Sequence, residues 1–171
     1  MSEIAVDFLL GPDWRSRLIA WYGDEDCSHC ASVIRDMYKG APRERYLDAR
    51  SDVLDDIPAG VHIRDPVSER WIKKRRATLK VSLTEYQEWE ANLRAKITTE
   101  YDKYAILGFL EGKSLHTAGR WICSALAINA VQHIRRVPYP LVKPAHQITP
   151  GEVLLILQAV GFTIGPILQP I

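Results

Sequence analysis

The chain has 171 residues, a formal net charge of +1, and ordinary globular shares of hydrophobic (47%) and charged (25%) residues. This length predicts one domain, residues 1–171, with a single full core. The near-neutral charge gives no strong nucleic-acid signal, no apolar run is long enough for a transmembrane segment, and no secretory signal is recognisable, so we expect a cytoplasmic protein.

The first part of the chain is rich in predicted strands. Residues 4–9 (IAVDFL) are a short apolar run that predicts a first strand, and residues 16–23 (SRLIAWYG) place apolar side chains at helical spacing. Three further strand candidates follow: HCASVI from His29, RYLDARS (45–51) and GVHIRD (60–65). Strands joined by short turns indicate an antiparallel sheet.

The next predicted elements are a strand and a long helix. Residues 75–83 (RRATLKVSL) alternate apolar and polar side chains, as a half-buried strand does. Ser82 and Glu85 form a capping-box pattern, and the apolar stripe behind them predicts one helix that continues to Tyr101. The stretch between Gly108 and Gly119 is predicted to be a loop.

Two helices are predicted in the last third. ICSALAINAVQHI has helical spacing and places Cys123 in or just before the first turn. Thr149 and Glu152 form a capping box around Pro150, which predicts a last helix that ends at Gly161. The proline-rich residues 137–150 between these helices are predicted to be a surface connection.

The stretch CSHC (residues 27–30) is the first with recognisable chemistry. It contains two of the three cysteines of the chain, and Cys123 is the third. A redox dithiol needs a thiol of low pKa, but the acidic stretch GDED directly precedes Cys27 and would raise its pKa. A structural zinc site would need His29 and Cys30 to reach one ion from opposite faces of a strand. Both interpretations stay open beside a third.

The third interpretation joins His29 to Cys123. A cysteine in the first turn of a helix meets the positive end of the helix dipole, where free N–H groups favour a thiolate and can hold an oxyanion. An imidazole on a neighbouring strand would supply the base. The competing interpretation is that Cys123 is a small buried hydrophobe and His29 a satisfied polar residue.

Seven short motifs occur between about Ile4 and about Leu157: SRLIAWYG, CSH, YLDA, GVHIRDP, YDKYAILGF, WICSALA and ITPGEVL. Their order resembles the circularly permuted branch of the papain-like NlpC-type cysteine hydrolases, in which the histidine strand precedes the nucleophile helix. The resemblance implies an α+β fold that is papain-like and circularly permuted, with an antiparallel β-sheet or half-barrel packed against helices.

The resemblance also implies roles for individual residues. Cys123 matches the nucleophile, and His29 matches the general base. Asp48 of YLDA matches the third, orienting residue, for which Arg50 and His62 are rivals. The position after Cys-Ser often holds an acid in relatives, whereas this chain has alanine there.

Tyr101 matches a tyrosine that such enzymes place beside the active site, where it would line the site together with Cys123. Candidates for an apolar substrate groove are Trp14, Trp21, Tyr22, Phe109 and Leu110, although ordinary core packing explains each of them singly. The basic run WIKKRRATLK (71–80) could meet phosphate groups, although such runs are more often a solvated face.

Relatives of this kind cleave amide, thioester or ester bonds, or transfer acyl groups, through an acyl-cysteine intermediate. The resemblance implies a small-molecule, peptide, lipid-like acyl or peptidoglycan-type substrate, and we expect neither a cofactor nor a metal. A cell-wall substrate would require a delivery route other than export, as in a phage-encoded protein. The alternative from another class is a non-catalytic papain-like module that binds a partner or serves as a phage structural part.

Overall fold

The computed structural model describes residues 1–23, 26–38, 40–111, 113–136 and 143–170, without the side chains of Tyr22, Tyr38, Phe109 and Leu110. Within this part of the chain, one six-stranded sheet is accompanied by five α-helices. The strands are β1 (Ser2–Leu10), β2 (His29–Tyr38), β3 (Ala41–Arg50), β4 (Gly60–Arg64), β5 (Lys73–Val81) and β6 (Thr163–Ile164). The helices are α1 (Trp14–Gly23), α2 (Leu83–Arg94), α3 (Lys103–Glu111), α4 (Cys123–His133) and α5 (Pro150–Ala159). The predicted α+β class is confirmed.

Neighbouring strands of the sheet are antiparallel, in the order β4-β3-β2-β1-β5-β6. The first strand is central, since Phe8 of β1 lies opposite both Cys30 of β2 and Arg75 of β5. The predicted strands are present: β1 and β2 run past their predicted ends, whereas β3, β4 and β5 end one or two residues earlier than predicted. The two-residue β6 was not predicted, because so short a strand has no readable period.

The main core lies between one face of the sheet and helices α2, α4 and α5. The sheet contributes alternate, buried residues: Ile4, Val6, Phe8, Leu47, Ala49, Val61 and Ala77. The helices contribute Trp89, Leu93, Leu126, Val131, Val153 and Leu157. Each large apolar side chain in this layer stabilises the fold by about 1.5–3 kcal/mol, relative to leaving it in water.

The other face of the sheet holds a buried ion network around Asp7, which is 0% exposed. Its carboxylate accepts hydrogen bonds from Tyr46 (2.7 Å) and Arg76 (2.6 Å), and it forms an ion pair with Lys74 (2.8 Å). Burial opposes the charge, but the bonds from Arg76, Lys74 and Tyr46 lower the pKa of Asp7 overall. Part of the basic run of β5 therefore neutralises an internal acid.

The helix that follows Ser82 is shorter than predicted, because α2 ends at Arg94 and does not continue to Tyr101. Its capping box is present as predicted. Beyond α2, the Thr98 N–H donates to the Val61 carbonyl (2.9 Å) and the Val61 N–H donates to the Thr99 carbonyl (2.9 Å). The chain stops being helical because its backbone hydrogen bonds there are made with β4.

The predicted loop from Gly108 to Gly119 is helical in its first part, since α3 extends to Glu111. Asp102 caps this helix by accepting hydrogen bonds from the N–H groups of Tyr104 (3.1 Å) and Ala105 (3.2 Å). Gly108 is needed for close approach, because a Cβ atom there would lie 2.6 Å from the Lys113 carbonyl oxygen.

The structure describes only part of the predicted proline-rich connection before the last helix. Residues 137–142 of the proline-rich connection are not among the described residues, while a short 3₁₀ turn at Ala145–Gln147 leads into α5. The capping box at Thr149 and the helix behind it are present as predicted. None of the described helices is both long and apolar enough to cross a membrane.

Candidate active site

Three elements bring the predicted site residues together. Cys123 is the first residue of α4, His29 is the first residue of β2, and Asp48 lies in β3. Strands β2 and β3 are neighbours in the sheet, and α4 packs against both of them. The fold therefore gathers side chains that are far apart in the sequence.

The His29 imidazole donates a hydrogen bond from Nε2 to the Asp48 Oδ2 atom, at 2.8 Å. The Asp48 side chain is 0% exposed and the His29 side chain is 16% exposed. The carboxylate thus fixes the orientation of the ring from the buried side. With Nε2 engaged, Nδ1 is the nitrogen left for a second partner.

Arg64 holds the other oxygen of the Asp48 carboxylate. Its Nη1 atom lies 2.6 Å from Asp48 Oδ1, its side chain is 2% exposed, and its Nη2 atom donates to the Pro58 carbonyl at 3.0 Å. Burial raises the pKa of Asp48, but the hydrogen bond from His29 and the charges of His29 and Arg64 lower it overall. Asp48 is therefore ionised at neutral pH.

Arg64 was not predicted from the sequence, although a signal for it existed. Asp48 lies opposite His62 in the β3–β4 register, and Arg64 follows His62 by two residues. Residues two apart in a strand share a face, so strand alternation places Arg64 on the side of Asp48. The run GVHIRD thus contained the residue that neutralises the buried acid.

Cys123 and His29 line the same cavity, and each shifts the pKa of the other. Burial works against a protonated ring, but the negative sulfur of Cys123 and the Asp48 carboxylate raise the pKa of His29 to about 10. A hydrogen bond from Cys30 and the charge of His29 hold the pKa of Cys123 well below its usual range, although burial opposes this. These opposite shifts favour a thiolate at Cys123 paired with an imidazolium at His29.

Cys30 is a buried neighbour of Cys123. It is 1% exposed, and its pKa is raised well above the usual thiol value, first by burial and then by its hydrogen bond to Cys123. Cys30 therefore stays a thiol that donates to the Cys123 sulfur. Cys27 is buried in the main core, and all three cysteines are free of disulfides.

The rivals of Asp48 have other partners. Arg50 forms ion pairs with Asp52 (2.9 Å) and Glu69 (2.5 Å). His62 has a lowered pKa, because of burial and the nearby charge of Arg64. In the described part of the chain, neither rival is hydrogen bonded to His29.

A cavity of about 540 Å³ opens over Cys123 and His29, and Tyr101 lines it as expected. Burial and the charge of Cys123 raise the pKa of Tyr101 well above its usual value, so its hydroxyl stays protonated. A second cavity of about 360 Å³ adjoins the first and is mainly apolar. The two cavities share six wall residues: Trp14, Arg15, Ile19, Ser51, Tyr101 and Ile106.

Of the groove residues predicted from the sequence whose side chains the structure describes, Trp14 lines both cavities and Trp21 does not. Trp21 is 76% exposed and lies in the wall of neither cavity. The side chains of Tyr22 and Phe109 lie outside the described residues. Trp14, which is 69% exposed, is the first residue of α1, whereas Trp21 lies on the same side of the helix two turns further along, beyond the cavities.

The N-terminus of α4 begins differently from those of α2 and α5. Ile122 occupies the cap position of α4, and its hydrocarbon side chain cannot accept a hydrogen bond, whereas α2 and α5 both begin with capping boxes. The first-turn N–H groups beside Cys123 are therefore not used by a capping side chain. They are suitable donors for a developing oxyanion.

Comparisons with known proteins support only a likeness of fold. No protein-family model matches the chain, and no curated protein matches it. Among solved structures, the chain is similar to the crystal structure of the metalloprotein yiiX (DUF1105) from Escherichia coli O157:H7. The TM-score is 0.61 at 14% sequence identity, with 97% of each chain covered. The chain therefore shares the fold of that protein over almost its whole length.

Proposed function

We propose that this chain is a cysteine hydrolase or acyltransferase with a circularly permuted, papain-like fold of the NlpC type. It acts on an amide, thioester or ester bond through an acyl-cysteine intermediate. The observation that carries this proposal is the coupling of a buried, low-pKa Cys123 to a His29 ring that Asp48 orients. Nucleophile, base and orienting acid are the parts that such catalysis requires.

In the first half of the reaction, the Cys123 thiolate attacks the carbonyl carbon of the substrate. A carbon–sulfur bond forms, and the electron pair of the C=O bond moves to the oxygen, where the first-turn N–H groups of α4 stabilise it. The oxyanion then collapses and expels the leaving group. The His29 imidazolium gives its Nδ1 proton to that group, which leaves an acyl-cysteine and a neutral imidazole.

In the second half, neutral His29 takes a proton from water, or from an acyl acceptor, which attacks the acyl-cysteine. The carbon–sulfur bond breaks, and the thiolate–imidazolium pair returns. Asp48 keeps the ring in place during both proton transfers and stabilises its charged form. Arg64 keeps Asp48 ionised and does not touch the reacting atoms.

The adjoining apolar cavity favours a lipid-like acyl substrate over a peptidoglycan peptide. Its wall holds Trp14, Leu18, Ile106 and Leu107, and it adjoins the cavity over Cys123. An acyl chain that enters it would hold the carbonyl carbon near the thiolate. A polar peptide gains nothing from such a wall.

The metal of the similar metalloprotein does not carry over to the proposed mechanism. Among the residues that the structure describes, no group of three or more His, Cys, Asp or Glu side chains is arranged to hold a metal ion. Every step of the mechanism therefore uses the side chains and backbone of the chain itself.

Intact-mass analysis after mixing with p-nitrophenyl esters of acetate and octanoate tests the proposal. We expect an acyl adduct on the peptide that contains Cys123, faster acylation by octanoate than by acetate, and no adduct in Cys123→Ala. Cys27→Ala, which removes another buried thiol, should acylate like the parent protein.

Acylation of Cys27 in place of Cys123 would contradict the proposal, as would p-nitrophenol release that Cys123→Ala leaves unchanged. Absence of any adduct would favour the alternative of a non-catalytic binding or phage structural module. Alanine at position 125, where relatives often carry an acid, favours that module. In the structure, Ala125 packs against Ala105 and Ile122.

A further inference from the structure

The charged residues of the apolar cavity are all of one sign. Among the described residues of its wall, Arg15 and Lys103 are charged and no residue is acidic. Arg15 lies in α1, and Lys103 is the first residue of α3, so the two cations lie on the two helices that border the cavity. An apolar cavity with cations alone at its wall is complementary to a ligand that is apolar and anionic.

Among the residues that the structure describes, no acid forms an ion pair with either cation, Arg15 or Lys103. The Arg15 guanidinium instead lies 5.6 Å from the centre of the Trp14 ring. Asp13, the nearest acid in sequence to Arg15, accepts hydrogen bonds from the N–H groups of Arg15 and Ser16 at the start of α1. Its carboxylate is therefore occupied in capping the helix.

The acids of the neighbouring cavity over Cys123 are also engaged. Asp52 and Glu69 are both ion-paired with Arg50. Arg70, which lines the same cavity, has no ion-pair partner among the described residues. Among the described residues, it is therefore only the apolar cavity whose wall carries cations without acids, and guanidinium and ammonium groups bind carboxylate and phosphate oxygens.

We infer that Arg15 and Lys103 bind the acidic group of an anionic, single-chain amphiphile whose apolar part occupies the cavity between α1 and α3. This inference deepens the proposed function, because it names the class of molecule that the Cys123 site acts on. The cavity volume, about 360 Å³, lies within the range of small-molecule pockets, which run from about 300 to 1,000 Å³. A single chain fits such a volume, whereas a bilayer surface would not enter it.

The test measures binding without catalysis, so that it is independent of the proposed reaction. Dodecanoate, dodecyl phosphate and dodecyl maltoside, which share one chain and differ in head group, are titrated calorimetrically into Cys123→Ala protein below their micelle concentrations. We expect the better of the two anions to bind about tenfold or more tightly than the neutral maltoside, as one charge-assisted contact allows. The order of the two anions shows whether the site prefers carboxylate or phosphate.

The matched variants are Arg15→Gln combined with Lys103→Gln, and Arg17→Gln as the control. Arg17 lies two residues from Arg15 in α1, is exposed, and lines neither cavity. The double variant should bind the anions no better than the maltoside, while the control should keep the full preference. All of these side chains are on the surface, and circular dichroism checks that the variants fold.

Equal affinity for anionic and neutral amphiphiles would overturn the inference, and so would an equal loss of preference in Arg17→Gln. Binding to anionic vesicles without binding to the monomeric amphiphiles would overturn it too, because the cations would then serve a membrane surface. Anion binding by Cys123→Ala together with no acyl transfer by the parent protein would support this inference and refute the proposed function. The two proposals therefore fail separately.

Discussion

At the scale of single residues, Asp48 connects the stability of the fold with the chemistry of the site. Its side chain is 0% exposed. One carboxylate oxygen accepts a hydrogen bond from His29, and the other accepts one from Arg64. A buried carboxylate is tolerated only when its charge is compensated and its lone pairs are used. The same contacts that satisfy Asp48 orient the imidazole towards Cys123.

Asp48→Asn should lower the free energy of unfolding by about 3 kcal/mol or more, because it leaves the buried charge of Arg64 uncompensated. Asp52→Asn serves as the control, since its side chain is 47% exposed, and its ion pair with Arg50 should be worth less than about 1 kcal/mol. Urea unfolding at pH 7 measures both variants. Equal losses of free energy of unfolding in the two variants would show that the buried Asp48–Arg64 pair stabilises the fold no more than the exposed Asp52–Arg50 pair.

Cys30→Ala should raise the pKa of Cys123, because the thiolate loses the S–H group that donates to it. The pH at which Cys123 reacts half-maximally with a maleimide should move upward, while the protein stays folded. Cys27→Ala should leave this midpoint in place, although it also removes a buried thiol. If Cys30→Ala leaves the pH midpoint of Cys123 unchanged, Cys30 serves packing alone and does not stabilise the thiolate.

At the scale of elements, the sequence predicted best what is decided locally. The capping boxes at Ser82 and Thr149 were predicted because all their atoms lie within one helical turn. The end of α2 was missed because it depends on contact with β4, where Gly60 allows the close approach. A Cβ atom on Gly60 would lie 2.5 Å from the Thr99 carbonyl oxygen, and no local pattern reveals such a contact.

The helix α3 shows the same limit, and Asp102 is its decisive residue. This carboxylate, 1% exposed, bonds to the N–H groups of Tyr104 and Ala105 and to the His116 ring, at 2.6 Å. It joins the start of α3 to a segment that the sequence indicated only as a loop. Gly108 lies inside α3, although the sequence indicated that a loop begins at this residue.

Asp102→Ala should lower the free energy of unfolding by about 2 kcal/mol or more, because it removes both a helix cap and the buried partner of His116. Asp13→Ala is the matched control, since Asp13 caps α1 on the surface and should cost about 1 kcal/mol. Thermal unfolding of the two variants gives the comparison. A larger loss in Asp13→Ala would contradict the importance assigned to Asp102.

At the scale of the whole molecule, the sheet places in one site residues that are separate in the sequence. His29, Asp48 and Cys123 were candidates from the sequence, and the structure brings them together. Arg64 and Cys30 were missed as members of the site, since their contacts depend on strand register and on where α4 meets β2. Sequence patterns thus indicated the three residues proposed for the reaction more readily than the two residues that contact them.

Stability should fall when the pH drops below the usual carboxyl pKa of 3.8, since Asp7, Asp48 and Asp102 are buried and have lowered pKa values in the folded protein. The folded state then binds fewer protons than the unfolded state, so the stabilisation is present above 3.8 and is lost as acid protonates these groups. Urea unfolding at pH 6, 4 and 3 measures it. A free energy of unfolding that stays level to pH 3 would contradict this expectation.

The most direct test of the central claim is the rate at which iodoacetamide alkylates Cys123 across pH, compared between the parent protein and His29→Ala. A thiolate paired with an imidazolium should react at neutral pH and keep its reactivity to a pH well below the usual thiol pKa of 9.0. In His29→Ala the midpoint should move towards that usual value. A parent midpoint near 9.0 that His29→Ala does not change would contradict the coupling of Cys123 to His29.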